Sequence, residues 1–289
     1  MSTGLRFSNN CVSSADGDLT RFDSRLTMLP QSLTFFKALW SDDDGNCNRG
    51  DDDDYDYDYD DEDAYDDYGN DNGTGLYSVS TSADGHLICG LSGRVEIWDT
   101  NDGKSKYSTG VDGNMHGMKQ YGEYLYGACL QGNQLTVVRY DRNLTNREEI
   151  VSIPYRAKVV TNMDVRYGKI AIIDYDNKLI KLFSTEGEFL RDVMLRDSES
   201  PYGVHLLIDN CVLLSARSRD YGAGFVTKYQ ADGSGSVVWR SGQLQRPLGL
   251  DVDELGLIYV CGDFSIYVLS LKGQYKIYDT SSHCLHYNI

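Results

Sequence analysis

Residues 161–194 read TNMDVRYGKIAIIDYDNKLIKLFSTEGEFLRDVM. Asn162-Met-Asp-Val alternates as a short strand, Tyr167-Gly168-Lys169 marks a tight turn, and Lys169-Ile-Ala-Ile-Ile-Asp is a second strand whose unbroken apolar run predicts burial on both faces. After Asp176-Asn177 comes the alternating Leu179-Ile-Lys-Leu-Phe, then a turn at Thr185-Glu-Gly, then Phe189-Leu-Arg-Asp-Val-Met. The stretch thus holds four strands joined by turns, one antiparallel unit of a repeat of about 42 residues.

The unit repeats. Ser14-Ala15-Asp16-Gly17-Asp18-Leu19 recurs as Ser82-Ala83-Asp84-Gly85-His86-Leu87, and the same turn with other letters stands at Tyr121-Gly122-Glu123, Tyr167-Gly168-Lys169, Asp209-Asn210-Cys211 and Leu255-Gly256-Leu257. Each precedes an apolar run. Glycine, or asparagine at one site, at the same place in every turn predicts a residue with positive φ there. Taking Gly17, Gly85, Gly122, Gly168, Asn210 and Gly256 as equivalent, the spacings are 68, 37, 46, 42 and 46 residues. Removing a 32-residue acidic window from the first leaves 36 and restores the period. The expected fold is all-β, a β-propeller of about six four-stranded blades, or five if residues 1–40 form an irregular segment rather than a first blade. Residues 41–72 are read as a disordered acidic insertion and residues 73–289 as the remaining blades.

The charge is as unevenly placed as the repeat is even. Between Ser41 and Asn72 sixteen acidic residues face one base, Arg49, so this window holds all but two of the seventeen net negative charges. Like charges at that density repel one another and keep a segment extended, whereas the nearly neutral remainder exerts little long-range pull on nucleic acid. The window lacks the ligand order and turn glycine of a calcium loop, although it could gather calcium weakly or carry modified tyrosines. No run approaches the length of a membrane span, and the N-terminus lacks a basic region followed by an apolar one, so a cytoplasmic protein without membrane contact is expected. The seven cysteines have no C-x-x-C spacing, which predicts reduced, mostly buried thiols.

Arg246-Pro-Leu-Gly-Leu-Asp-Val-Asp-Glu-Leu-Gly-Leu-Ile-Tyr-Val and Pro201-Tyr-Gly-Val-His carry a proline and glycine opening, an aspartate-glycine turn and an apolar strand. In these features the chain resembles the NHL-repeat propellers, over about residues 75–280 and more weakly over 5–40. Val95-Glu-Ile-Trp98-Asp99 resembles a WD repeat, a second choice because no other unit has that dipeptide. The NHL resemblance implies a target-recognition module of the kind found in tripartite-motif ubiquitin ligases. The RING and B-box spacings of those ligases are missing, so ligase activity is not expected of this chain.

In a propeller the first strand of each blade lines the centre, and aligning the units puts Asn10, Tyr77, His116, Asn162, Tyr202 and Leu248 at its opening. Tyr77, His116, Asn162, Tyr202 and Leu248 are therefore the predicted partner-binding positions. That set supplies one histidine and no carboxylate, a poor match to the histidine-lined lyase or the calcium-dependent lactonases that share such folds, so neither a catalytic residue nor a metal or other cofactor is predicted. Asp251 and Asp253 sit in a routine turn and are read as structural. Arg156, Lys158, Arg217 and Arg219 form modest basic clusters that could contact RNA phosphates. The expected function is non-catalytic recognition of a protein or peptide, basic if the acidic window steers it, by a monomer. RNA binding is the first alternative and a metal-dependent hydrolase or lyase the second.

Because residues 41–72 offer almost nothing but tyrosine to bury, deleting them is expected to change the stability of the remainder by less than about 1 kcal/mol in denaturant unfolding. Loss of a cooperative transition would show the window to be structural.

Overall fold

The computed structural model describes residues 75–155, 162–196, 199–218, 223–253, 255–262, 265–270 and 275–279, all in strands or turns. The predicted first blade and the acidic window lie outside these residues. Every described pairing is antiparallel. The first sheet runs in chain order through β1 (Leu76–Thr81), β2 (Leu87–Trp98), β3 (Ser105–Tyr121), β4 (Tyr124–Gln131), β5 (Gln134–Asp141) and β6 (Arg147–Pro154). The second holds β7 (Met163–Arg166), β8 (Lys169–Asp174), β9 (Leu179–Ser184) and β10 (Phe189–Met194). The third holds β11 (Glu199–Leu206), β12 (Cys211–Ser218), β13 (Ala223–Gln230) and β14 (Val237–Arg240), with the short β15 (Leu244–Gln245) pairing back on β13. The fourth holds β16 (Leu250–Val252), β17 (Ile258–Cys261), β18 (Ser265–Leu269) and β19 (Tyr275–Asp279).

The second sheet matches the four strands read from residues 161–194, and its core shows why they form. In β8, Ile170 and Ile172 pack toward the first sheet with Tyr126, Val137, Val151 and Tyr155, while Ala171 and Ile173 pack toward the third with Val204, Val212 and Leu214. The unbroken apolar run is thus buried on both faces, as its sequence predicts. In the third sheet Leu213 turns to the fourth, meeting Ile258 and Val260, while its neighbours Val212 and Leu214 turn to the second. The sheets therefore stack face to face in sequence order, and their first strands lie side by side, β3 against β7, β7 against β11 and β11 against β16.

All five described turn positions have positive φ, including Asn210 at 58°. The described residues nevertheless form four sheets, not the six, or five, that turn spacing predicts. The reason is β3. Its first half pairs with β2 and its second half with β4, so the units of Gly85 and Gly122 share one hydrogen-bonded sheet, which the turn letters cannot reveal. That sheet folds on itself, burying Ile88, Val95 and Ile97 against Met115, Met118 and Leu125. Within it β2 doubles back near Gly93 (φ 70°), because Thr100 Oγ1 donates to the Gly85 carbonyl at 2.8 Å across fifteen residues that would span about 50 Å if extended.

Neighbouring sheets also touch through glycine. Gly187 has φ 89°, and a Cβ there would lie 2.4 Å from the Ile150 carbonyl oxygen of β6, whereas a Cβ at Gly85 (φ 86°) would meet nothing within 4 Å. Gly85→Ala is expected to cost about 1 kcal/mol through backbone conformation alone, and Gly187→Ala clearly more, since it must also displace β6. Equal losses in denaturant unfolding would show that Gly187 is not an intersheet contact.

Candidate functional site

The C-terminal ends of four first strands meet in a network of charges. Asp164 of β7 is fully buried; its Oδ2 accepts from the backbone N–H of Leu206 at 2.8 Å and from Arg166 Nε at 3.2 Å. Arg166 also reaches across the axis, donating from Nη2 to Asp251 Oδ1 of β16 at 3.0 Å. His205 of β11, 3% exposed, puts Nδ1 3.1 Å from the same oxygen and 3.8 Å from Asp164 Oδ2, and Lys119 of β3 places Nζ 3.8 Å from Asp251 Oδ2. Partial desolvation among these groups opposes ionisation of Asp251, although its side chain stays 55% accessible, but the His205 hydrogen bond and the Lys119 and Arg166 charges prevail and hold its carboxyl well below the usual carboxylate range. Asp164 Oδ1 has no hydrogen-bond partner. Sequence reasoning missed this network, assigning Asp251 to a routine turn. The available signal was a polar or charged residue three places after three of the predicted opening positions, Lys119 after His116, His205 after Tyr202 and Asp251 after Leu248; after Asn162 that place holds Val165, and the network residues Asp164 and Arg166 flank it. Asp253 does serve its turn, with Oδ1 accepting from the N–H groups of Leu255 and Leu257.

Because these contacts gather the same ends of the first strands, the turns that follow open on one face. Further bonds bring the later turns of four of the units to that face. Thr100 Oγ1 bonds the Gly85 carbonyl, Arg142 Nη2 the Gly122 carbonyl, the Thr185 N–H the Gly168 carbonyl and the Ala231 N–H the Asn210 carbonyl. Adjacent units join through Gln120 Oε1, which accepts from the Ala83 N–H, and through Lys169 Nζ, which donates to Asn210 Oδ1 at 2.6 Å. On this turn face the first turns expose Tyr121 and Tyr124, Tyr167 (50%), Ile208 (83%) and Leu255 (61%).

The predicted partner-binding positions lie at the other ends of the same strands. Tyr77 and His116 touch, with ring centroids 4.6 Å apart and planes at 57°. His116 is 7% exposed with Nε2 unpartnered, and burial pushes its pKa down to about 4. Asn162 Oδ1 accepts from the Met163 N–H, Tyr202 carries the Arg217 guanidinium 4.5 Å above its ring, and the Leu248 carbonyl accepts from Ser215 Oγ between β12 and β16. The structure thus brings Tyr77 to His116 within the first sheet, while Tyr202 stays with Arg217 inside the third and Leu248 links the third sheet to the fourth. Of the candidate RNA contacts, Arg217 is half-buried on Tyr202, and Arg156, Lys158 and Arg219 lie outside the described residues. Cys89, Cys129 and Cys211 are buried free thiols and Cys261 is a partly exposed one. Among the described residues no group of three histidine, cysteine or acidic side chains is placed to hold a metal ion, and no helix is long and apolar enough to cross a membrane. Two shallow concavities of about 410 and 340 Å³ flank Ile153 and Pro154 at the rim of the first and second sheets, and neither includes a residue of the axial network.

No family model and no curated protein sequence matches the chain. Solved structures do. A protein of unknown function from Bacteroides caccae superposes with a TM-score of 0.55 at 14% identity, over 70% of this chain and 80% of that one. A catalytically inactive histidine-to-alanine variant of virginiamycin B lyase from Staphylococcus aureus, with quinupristin, gives 0.55 at 11% identity over 75% and 73%. The computationally designed Ika8 protein gives 0.50 at 18% identity over 71% and 62%. The fold is a β-propeller. At these identities the likeness is one of fold alone, and the repeat family is not fixed by it.

The depressed pKa of His116 makes stability depend on pH. Above the ordinary value of 6.5 the side chain is neutral folded or unfolded; below it the unfolded chain takes up a proton that the folded protein refuses until about pH 4. Stability should therefore fall with acidification through that window, by about 2 kcal/mol from this group between pH 8 and pH 5. His116→Gln is expected to remove that part of the slope in urea unfolding; an unchanged slope would place the titration elsewhere.

Proposed function

We propose that the chain is a non-catalytic, NHL-like propeller that recognises a protein or peptide and docks it on the turn face. The observation that carries this reading is the exposed apolar side chain on every first turn described after the Gly85 unit: Tyr121, Tyr167, Ile208 and Leu255, with Tyr124 beside Tyr121 lying under the Arg139 guanidinium at 4.7 Å. A turn has no packing reason to expose such residues, and a ring of them around a polar centre is the arrangement of an interface with dispersed anchors. The predicted positions at the opposite end support docking less well, since His116 is buried and Arg217 covers Tyr202. The lyases among the structural neighbours lend fold but no chemistry, and the enclosure of His205 beneath Asp251 keeps its imidazole from a substrate.

Tyr167→Asn combined with Leu255→Ser removes two anchors without straining position 167, whose φ of 54° asparagine tolerates. Each truncation is expected to cost about 2 kcal/mol of binding. Quantitative capture from cell extract should then show proteins retained by the wild type and by a Tyr77→Ala, Tyr202→Ala variant but lost by the turn-face variant. Loss with the second variant alone would move the site to the opposite end, and capture of RNA in place of protein would end the reading.

A further inference from the structure

The turn face differs from its opposite in charge as well as in apolar exposure. Among the described residues its turns hold more carboxylates, Asp84, Asp99, Glu123, Asp141, Glu188 and Asp232 among them, than cations, which are Lys104, Arg142 and Lys169. Hydrogen bonds from turn neighbours hold four of these carboxyls below their ordinary range: Ser82 for Asp84, Asn101 for Asp99, Thr145 for Asp141 and Ser234 for Asp232. The cations nearest the centre do not offset them. Arg166 and Lys119 are engaged by Asp164 and Asp251, and Lys228 by Asp209 at 2.5 Å. At the opposite end the described connections carry Asp112, Asp174 and Asp176 against Lys178, Arg196 and Arg246, so among the described residues the excess of negative charge belongs to one face. The centre of that face also keeps an unfilled acceptor, the buried Asp164 Oδ1, beside Asp251, whose side chain is 55% accessible.

Resting on the docking reading above, we propose that the turn face selects a basic amphipathic peptide segment: apolar side chains seat on Tyr167, Ile208 and Leu255, and lysine or arginine side chains lie over the carboxylates between them. Apolar area supplies the contact, and the complementary charge sets which segments dock and how fast they arrive. Phosphate-rich partners are repelled by the same carboxylates, so RNA is not an occupant of this face.

The test measures binding of three fluorescent peptides to the full chain by anisotropy over a range of salt: an amphipathic lysine-leucine peptide, the same peptide with glutamate for lysine, and oligolysine. The lysine-leucine peptide should bind at least about tenfold more tightly than either other, and less tightly as salt rises. Glu123→Lys with Glu188→Lys should weaken it about tenfold at low salt and little at high salt, whereas Tyr167→Asn with Leu255→Ser should weaken it at every salt. If the anchor variant loses binding and the charge variant does not, the face docks a partner that charge does not select: the inference falls and the docking reading stands. If the anchor variant binds as the wild type does, the peptide sits elsewhere, on the acidic window 41–72 for instance, and the docking reading falls. Equal affinity for oligolysine or for the glutamate peptide also overturns the inference.

Discussion

A strand that is apolar on both faces needs a sheet against each of them, and that requirement governs this molecule. β8 sends Ile170 and Ile172 one way and Ala171 and Ile173 the other, and β12 does the same with Leu213 between Val212 and Leu214. No two-layer sandwich satisfies such strands, because each of its sheets has a solvent face. A succession of sheets stacked about an axis does. The short turns follow from it, since each sheet must reverse direction within the thickness of the stack. A residue with φ near 60° to 90°, glycine or Asn210, makes that reversal possible.

Stacking decides which faces meet but leaves sheets able to slide along the strand direction. The axial network opposes sliding with directional bonds. Arg166 touches carboxylates of two sheets, and Asp164 accepts from the backbone of Leu206 in a third. Buried ion pairs contribute modest net stability, yet removing one partner typically costs about 3–5 kcal/mol because the survivor remains buried. A displaced register would strand Asp164 in that way, so the network penalises alternatives more than it rewards the native state.

The repeat was legible because its signals are local: a positive-φ residue, an apolar run, an alternating run. Strand bounds in residues 161–194 agree with the letters for the same reason. The continuous β3 was not legible: its passage from β2 to β4 uses Gly113, whose φ is 120° and where a Cβ would lie 2.4 Å from the Leu130 carbonyl oxygen, but a glycine in a strand pattern does not say which two strands it joins. Nor was the network. Asp164 and Leu206 are 42 residues apart and Arg166 and Asp251 are 85 apart, and pattern reading within one repeat brings neither pair together. The exposed ring escaped because Leu255 and Leu257 are the same letter on either side of Gly256, one outward and one half-buried. The end of the strands chosen from sequence held aromatic residues, but aromatic identity alone does not separate an anchor from Tyr77, which the His116 ring covers.

The two properties of the turn face have different physical origins, and the difference bears on function. Its acidity is built into the turns: Asp84, Asp99, Asp141, Asp232 and Asp253 each accept from donors of their own turn, the usual way a short reversal satisfies its N–H groups. At the opposite end Asp174 caps one turn through Asn177, with Lys181 at 3.6 Å to neutralise it, while Ser92-Gly93 and Gly132-Asn133 reverse the chain without a carboxylate. A negative face therefore accompanies this fold whether or not a partner exists. The exposed Ile208, Leu255 and Tyr167 have no such cause, because a polar residue would serve their turns equally well. Fold chemistry supplies the charge, and the exposed apolar side chains within it are the part that the proposed recognition would explain.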